Sequence, residues 1–175
     1  MENCEVESMK KNILFVASEA VPFIKTGGLA DVAGSLPKYF DKEQYDVRVM
    51  LPKYLCIPEK WRSQMKYVTH FYMDLAWRSQ YVGVLEMEYA GVHYYFIDNE
   101  FYFAGPKPYG YIHEDIEKFA FFSKAALSAM PLLNFKPDIV HCHDWQTGLV
   151  PVYMKERFHD GEFFRDMKSV MTIHN

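Results

Sequence analysis

Residues 25–38 read KTGGLADVAGSLPK, a lysine and a threonine followed by two adjacent glycines at the head of an amphipathic stretch. Glycine costs conformational entropy unless the backbone must bend unusually or something must approach it closely. Main-chain N–H groups at a helix start, uncovered at Gly27 and Gly28, suit an anion, and Lys25 adds a full positive charge. The lysine precedes the glycines, so the segment is neither the GxxxxGK[ST] phosphate loop nor GxGxxG. On spacing alone, a tight turn beside a solvated lysine accounts for the same residues equally well. Glu19, in the preceding loop, stands where a carboxylate orients Lys25 or a sugar hydroxyl, with a solvated surface charge as the equal alternative.

The stretch HCHDW (141–145) sets His141 and His143 at i and i+2, on one side of a strand. That pair begins the binuclear metal pattern HxHxDH, but Asp144 follows His143 directly and Trp145 comes next, so ligands are missing and no metal is expected. Asp144 is placed to cap a helix N-terminus, a role compatible with touching a ligand. His174, at the carboxyl end of the last strand-like run, is on its own explained as a core histidine bonded to backbone. Tyr109 and Tyr111 in KPYGY either stack on a sugar or simply cover a loop, covering being the simpler reading.

These side chains need elements to hold them. NILFVAS (12–18) has the continuous apolar character of a strand buried on both faces. Residues 29–40 form a helix pattern with Leu29, Val32, Ala33 and Leu36 on one stripe, and YDVRVMLP (45–52) is the next strand, which together make a βαβ unit. Residues 65–98 alternate apolar and polar around an Ala90-Gly91 turn, the pattern of antiparallel strands or a hairpin insertion. Residues 101–115 read as a loop, 114–133 as a long helix with Glu114 and Asp115 at its N-terminal end, 138–143 as a strand, 144–158 as a helix and 169–175 as a last strand.

The class is therefore α/β, Rossmann-like and doubly wound, with a mainly parallel sheet. Ligands of such sheets bind beyond the carboxyl ends of the strands, where the loops after Ala17, His143 and His174 converge. The last strand is followed by no covering helix, so the chain is expected to be truncated. One domain is expected over residues 11–175, with residues 1–10 a disordered leader.

A formal net charge of −4 provides no broad basic field for nucleic acid or an acidic membrane. Three widely spaced cysteines, Cys4, Cys56 and Cys142, suggest a reducing compartment rather than a disulfide framework. The first residues, MENCEVESMKKN, resemble neither a secretory signal nor an acid-poor transit peptide, and no apolar run approaches the ~20 residues of a membrane helix. The expected compartment is the cytoplasm of a bacterium.

Together, SEAVPFIKTGGLADVAGSLPK, PDIVHCHDWQTGLVPVYM and SVMTIHN resemble, in order and separation, three signature stretches of bacterial glycogen synthases and plant starch synthases. The resemblance runs from Lys11 to Asn175. It implies a retaining glucosyltransferase that moves glucose from ADP-glucose to the non-reducing 4-hydroxyl of an α-1,4-glucan, glycogen rather than starch. The implied fold is GT-B, two Rossmann-like domains facing a cleft, of which this chain is the N-terminal part. The resemblance implies that Lys25 contacts ADP-glucose, that the amides of Gly27 and Gly28 lie near its diphosphate, and that Asp31 of GLADV belongs to the same set. Asp144 and His174 then surround the transferred glucose as the catalytic candidates, while Glu19 and Tyr109 complete the candidate donor-binding set. Cys142 stands where an alanine is common and should point away from the cleft. No metal or other cofactor is implied, no nucleic acid or membrane is a partner, and the oligomeric state stays open. Without the second domain's basic groups and glutamate, the chain alone is expected to have little activity. A non-catalytic glucan- or nucleotide-sugar-binding module is the alternative.

Overall fold

Strands with apolar residues on both faces must be covered on both faces, and this requirement organises the computed structural model, which describes residues 10–174. Of the expected leader, only Lys10 falls within the described residues. Strand β1 (Lys11–Val16) runs through the interior of the sheet, with Leu14, Phe15 and Val16 wholly buried. Helix α1 (Gly28–Ser35) leads through a 3₁₀ turn to β2 (Tyr45–Pro52), which pairs with β1 in parallel and completes the expected βαβ unit. After the short helix α2 (Glu59–Arg62), the strands β3 (Lys66–Leu75), β4 (Arg78–Tyr89) and β5 (Val92–Asp98) form an antiparallel meander. Ala90 and Gly91 turn between the last two with φ of 51° and 72°, the signature of a tight primed hairpin. Helices α3 (Glu100–Phe103) and α4 (Ile112–Ala129) precede β6 (Ile139–His143), α5 (Leu149–Tyr153) and β7 (Lys168–Thr172).

The seven strands lie in the order β3-β4-β5-β2-β1-β6-β7. From β5 to β7 the neighbours are parallel, as the doubly wound class requires. The alternating segment is not a hairpin set apart from the sheet. Its third strand, β5, takes the parallel place beside β2 and carries β4 and β3 outward from there. The buried side chains Phe121, Phe122, Ala125 and Ala126 of α4 join Phe15, Met50 and Phe96 of the sheet in one core.

Three expectations about helices need correction. The 29–40 helix is α-helical only to Ser35, because Pro37 has no N–H for the next turn and residues 36–39 tighten to 3₁₀. The single helix expected over 144–158 is a 3₁₀ turn at Trp145–Thr147, then α5, then a π-helical stretch at Met154–Phe158; Gly148 and Pro151 fall inside it. The 101–115 loop begins with α3, which Asn99 caps by accepting from the Tyr102 N–H at 3.1 Å, and α4 starts two residues ahead of Glu114.

The glycines of the first crossover divide by purpose. A Cβ on Gly34 would press into the carbonyl oxygen of Val21 and come within 2.8 Å of its nitrogen, so α1 needs glycine there to lie against the loop. A Cβ on Gly27 or Gly28 would meet nothing within 4 Å. Gly34→Ala is therefore expected to destabilise the chain by about 1–3 kcal/mol through overpacking. Gly27→Ala and Gly28→Ala should each stay within about 1 kcal/mol of the parent. Urea unfolding of the three variants checks this contrast, and equal losses would contradict it.

Candidate functional site

Ser18 and Glu19, which follow β1 at its carboxyl end, are buried polar residues. A buried carboxylate needs hydrogen-bond donors, and Glu19 finds them in the glycine-rich turn. Its Oε1 accepts from Thr26 Oγ1 at 3.0 Å and from the Tyr109 hydroxyl at 3.3 Å, while Oε2 accepts from the Thr26 N–H. The Tyr109 hydroxyl also lies 2.8 Å from Ser18 Oγ. Glu19 is thus neither a solvated charge nor the partner of Lys25; it braces the turn one residue beyond it.

Asp31 is the partner of Lys25, its two carboxylate oxygens accepting from Nζ at 2.8 and 2.7 Å with both side chains about half exposed. Gly27 takes the N-cap position of α1 in extended conformation, with no side-chain cap among the described residues. The first N–H groups of a helix have no intrahelical acceptor, so Gly27 and Gly28 leave a bare, exposed row of donors beside a cation.

The second group of residues sits where β6 and β7 end. Thr172 O accepts from the Asp144 N–H at 2.8 Å, and the Asp144 carboxylate accepts from the Trp145 N–H at 3.0 Å. Asp144 is the expected N-cap, though of a 3₁₀ turn rather than an α-helix. Its backbone has φ 61° and ψ −179°, a region that glycine alone occupies without strain. His141 and His143 do share one side of the strand, with ring centroids 4.2 Å apart. His141 Nε2 lies 2.7 Å from Thr172 Oγ1, and His143 Nδ1 lies 3.0 Å from His174 Nε2. His174 therefore bonds another imidazole rather than backbone. Among the described residues, no group of three or more His, Cys, Asp and Glu side chains is arranged to hold a metal ion. Cys142, between the histidines, is fully buried, and burial pushes its thiol up to about 12.

Aromatic packing joins the two groups. The Phe119 ring of α4 lies 5.8 Å from Tyr109 and 5.4 Å from Trp145, and Phe15 of β1 touches both His141 and His143. Beside Tyr109 opens a cleft of about 770 Å³, whose walls include Arg78, Phe101, Lys107 and Tyr111. Tyr109 turns its hydroxyl inward to Ser18 and Glu19, whereas Tyr111 is largely exposed on the cleft wall. Sequence reasoning placed the charged and glycine positions but missed Ser18 and Thr26 as partners, and His143 as a neighbour of His174.

Burial, reinforced by the nearby His141 and His174, lowers the His143 imidazole to about 3, and burial followed by His174 also lowers His141. Both are neutral rings at physiological pH. The folded protein then holds its full stability from His143 above the ordinary histidine value near 6.5, and loses it as pH falls toward 3 because the unfolded chain takes up the proton first. The slope is about 1.4 kcal/mol per pH unit for each such histidine. The urea midpoint of the chain is expected to fall between about pH 7 and about pH 5, and His143→Phe to flatten the trend. A flat profile in the parent would contradict a buried neutral His143.

Residues 12–175 match the starch synthase catalytic domain family. The glycogen synthase of Lachnospira eligens is 74% identical over 165 residues, covering 94% of this chain and 34% of that protein. The glycogen synthase of Lachnoclostridium phytofermentans is 67% identical over 165 residues, with the same coverage of 94% and 34%. Among solved structures, the catalytic domain of starch synthase IV from Arabidopsis thaliana, bound to ADP and acarbose, superposes with a TM-score of 0.79 at 26% identity, covering 95% of this chain and 34% of that one. The chain spans about a third of the length of the curated relatives it matches.

Proposed function

The chain belongs to the starch synthase catalytic domain family, and from that premise we propose that it forms the N-terminal part of a retaining glucosyltransferase that moves glucose from ADP-glucose onto the non-reducing 4-hydroxyl of an α-1,4-glucan. The observation that carries this reading is the uncovered backbone of Gly27 and Gly28 beside Lys25, in the turn that Glu19 braces beyond the carboxyl end of β1. Breaking the bond between the anomeric carbon and the diphosphate leaves positive charge on the sugar and negative charge on departing ADP. Donors and cations already in place for the second charge bind the transition state better than the ground state. Lys25 and the helix amides are proposed for that task. Asp31 holds the lysine only through an exposed ion pair, which is weak and screened, so a diphosphate competes for it readily.

Asp144 and His174 are proposed to orient the transferred glucose, and Tyr109 and Glu19 to keep the turn in register. The exposed rings of Phe101 and Tyr111 on the cleft wall suit the acceptor glucan, since aromatic faces pack against sugar rings. The names of the bacterial relatives favour glycogen as the product. They also fit a cytoplasmic enzyme, and among the described residues no helix is long and apolar enough to cross a membrane. The remaining diphosphate contacts are assigned to sequence outside these residues, so the chain alone is expected to turn over no substrate.

The test replaces the corresponding segment of the Lachnospira eligens glycogen synthase with this chain. The chimera should incorporate radiolabelled glucose from ADP-glucose into maltoheptaose at a rate near that of the parent, and far less from UDP-glucose. A folded chimera that binds donor or glucan without turnover would leave a non-catalytic binding module instead.

A further inference from the structure

His143 is fully buried between Phe15 and His141, and its Nε2 has no hydrogen-bond partner among the described residues. Its other nitrogen, Nδ1, lies 3.0 Å from Nε2 of His174. A neutral imidazole carries one N–H and one lone pair, and burial holds His143 neutral. The contact therefore has two arrangements. Either Nδ1–H of His143 donates and its lone pair is left bare at Nε2, or Nδ1 accepts and a buried N–H is stranded at Nε2. Orphaned buried N–H groups are the rarer and costlier of the two. The first arrangement requires His174 Nε2 to be the acceptor, so its proton resides on Nδ1, a nitrogen with no hydrogen-bond partner among the described residues.

We propose that His143 is a positioning residue that holds His174 as the Nδ1–H tautomer and so makes the free nitrogen of His174 a fixed hydrogen-bond donor. Free histidine prefers the opposite tautomer, with the proton on Nε2, so the assignment is diagnostic. Its consequence rests on the function proposed above: a donor of known direction then faces the transferred glucose, so the hydroxyl it meets must accept there and its own O–H is left for another partner. The register of the two strands supports the pairing. His143 is directly opposite Thr172 in the parallel ladder, and His174 follows two positions on.

Nitrogen-15 NMR of the histidine rings in the chain reads the tautomers directly. The parent should show a protonated Nδ1 and an unprotonated Nε2 on His174. His143→Phe, which keeps an aromatic ring, though a larger one, and removes the donor, should return His174 to the Nε2–H form, whereas His143→Asn, which retains an N–H near the same point, should preserve Nδ1–H. In the chimera, His143→Phe should lower kcat by up to about a hundredfold, as misplacing an orienting group does, with KM for ADP-glucose little changed, and His143→Asn should recover most of that loss. A parental His174 carrying its proton on Nε2, or a tautomer indifferent to His143→Phe, overturns the proposal. A tautomer that shifts as described with no change in kcat leaves the pairing intact and removes His174 from the glucose site.

Discussion

Lys25→Ala in the chimera is expected to lower kcat/KM for ADP-glucose by about a hundredfold to a thousandfold, the range seen when one preorganised donor to a developing anion is removed. At about 1.4 kcal/mol per decade this corresponds to about 3–4 kcal/mol of lost transition-state stabilisation. Such a contact is worth more on the transition state than on the bound donor, so kcat should fall along with affinity. Stability should scarcely move, because the lysine is half exposed and its partner is a surface carboxylate. Part of the loss has a separate origin. With Lys25 gone, Asp31 is left uncompensated near an incoming diphosphate, and adding Asp31→Ala should recover up to about tenfold. Steady-state kinetics of the single and double variants, with urea midpoints as the folding control, decide the matter. A Lys25→Ala chimera with parental turnover would remove the diphosphate from this turn.

The legible parts of this chain are those whose signal is local. A continuous apolar run such as NILFVAS, or the alternation that ends in VHYYFID, determines a strand from its own residues, and the sheet contains both where expected. Helices α2 and α3, four residues each, are too short to show a period, and the 144–158 stretch looks helical by composition while its backbone begins in a left-handed conformation. The site divides in the same way. Lys25, Gly27 and Gly28 announce themselves by type and spacing, since an anion needs charge and bare amides. That Glu19 would turn to Thr26 rather than Lys25 depends on how the loop folds back over seven residues. The meeting of His143 and His174, separated by 31 residues, depends on the β6–β7 register, which no local pattern encodes.

The second large effect concerns Asp144, whose backbone sits at φ 61° and ψ −179°. A non-glycine residue there costs about 1–3 kcal/mol, and such strain persists where the surrounding structure fixes the residue for a purpose. Here the fixing contacts are the Asp144 N–H to Thr172 O and the carboxylate to the Trp145 N–H. Asp144→Ala would keep the strain and lose the cap. Asp144→Gly would lose the same cap, worth about 1 kcal/mol, and relieve the strain, against a glycine entropy cost of about 0.5–1 kcal/mol. The glycine variant should therefore be the more stable of the two by about 1 kcal/mol and close to the parent. Both should lose turnover in the chimera by about a hundredfold or more, because each lacks the carboxylate proposed to orient the transferred glucose. A strained residue that glycine replaces without loss of stability, but with loss of function, is held for chemistry rather than for folding. If the glycine variant instead unfolds more readily than the alanine one, the strain is not where the backbone angles place it; if it remains fully active, the carboxylate serves only as a cap.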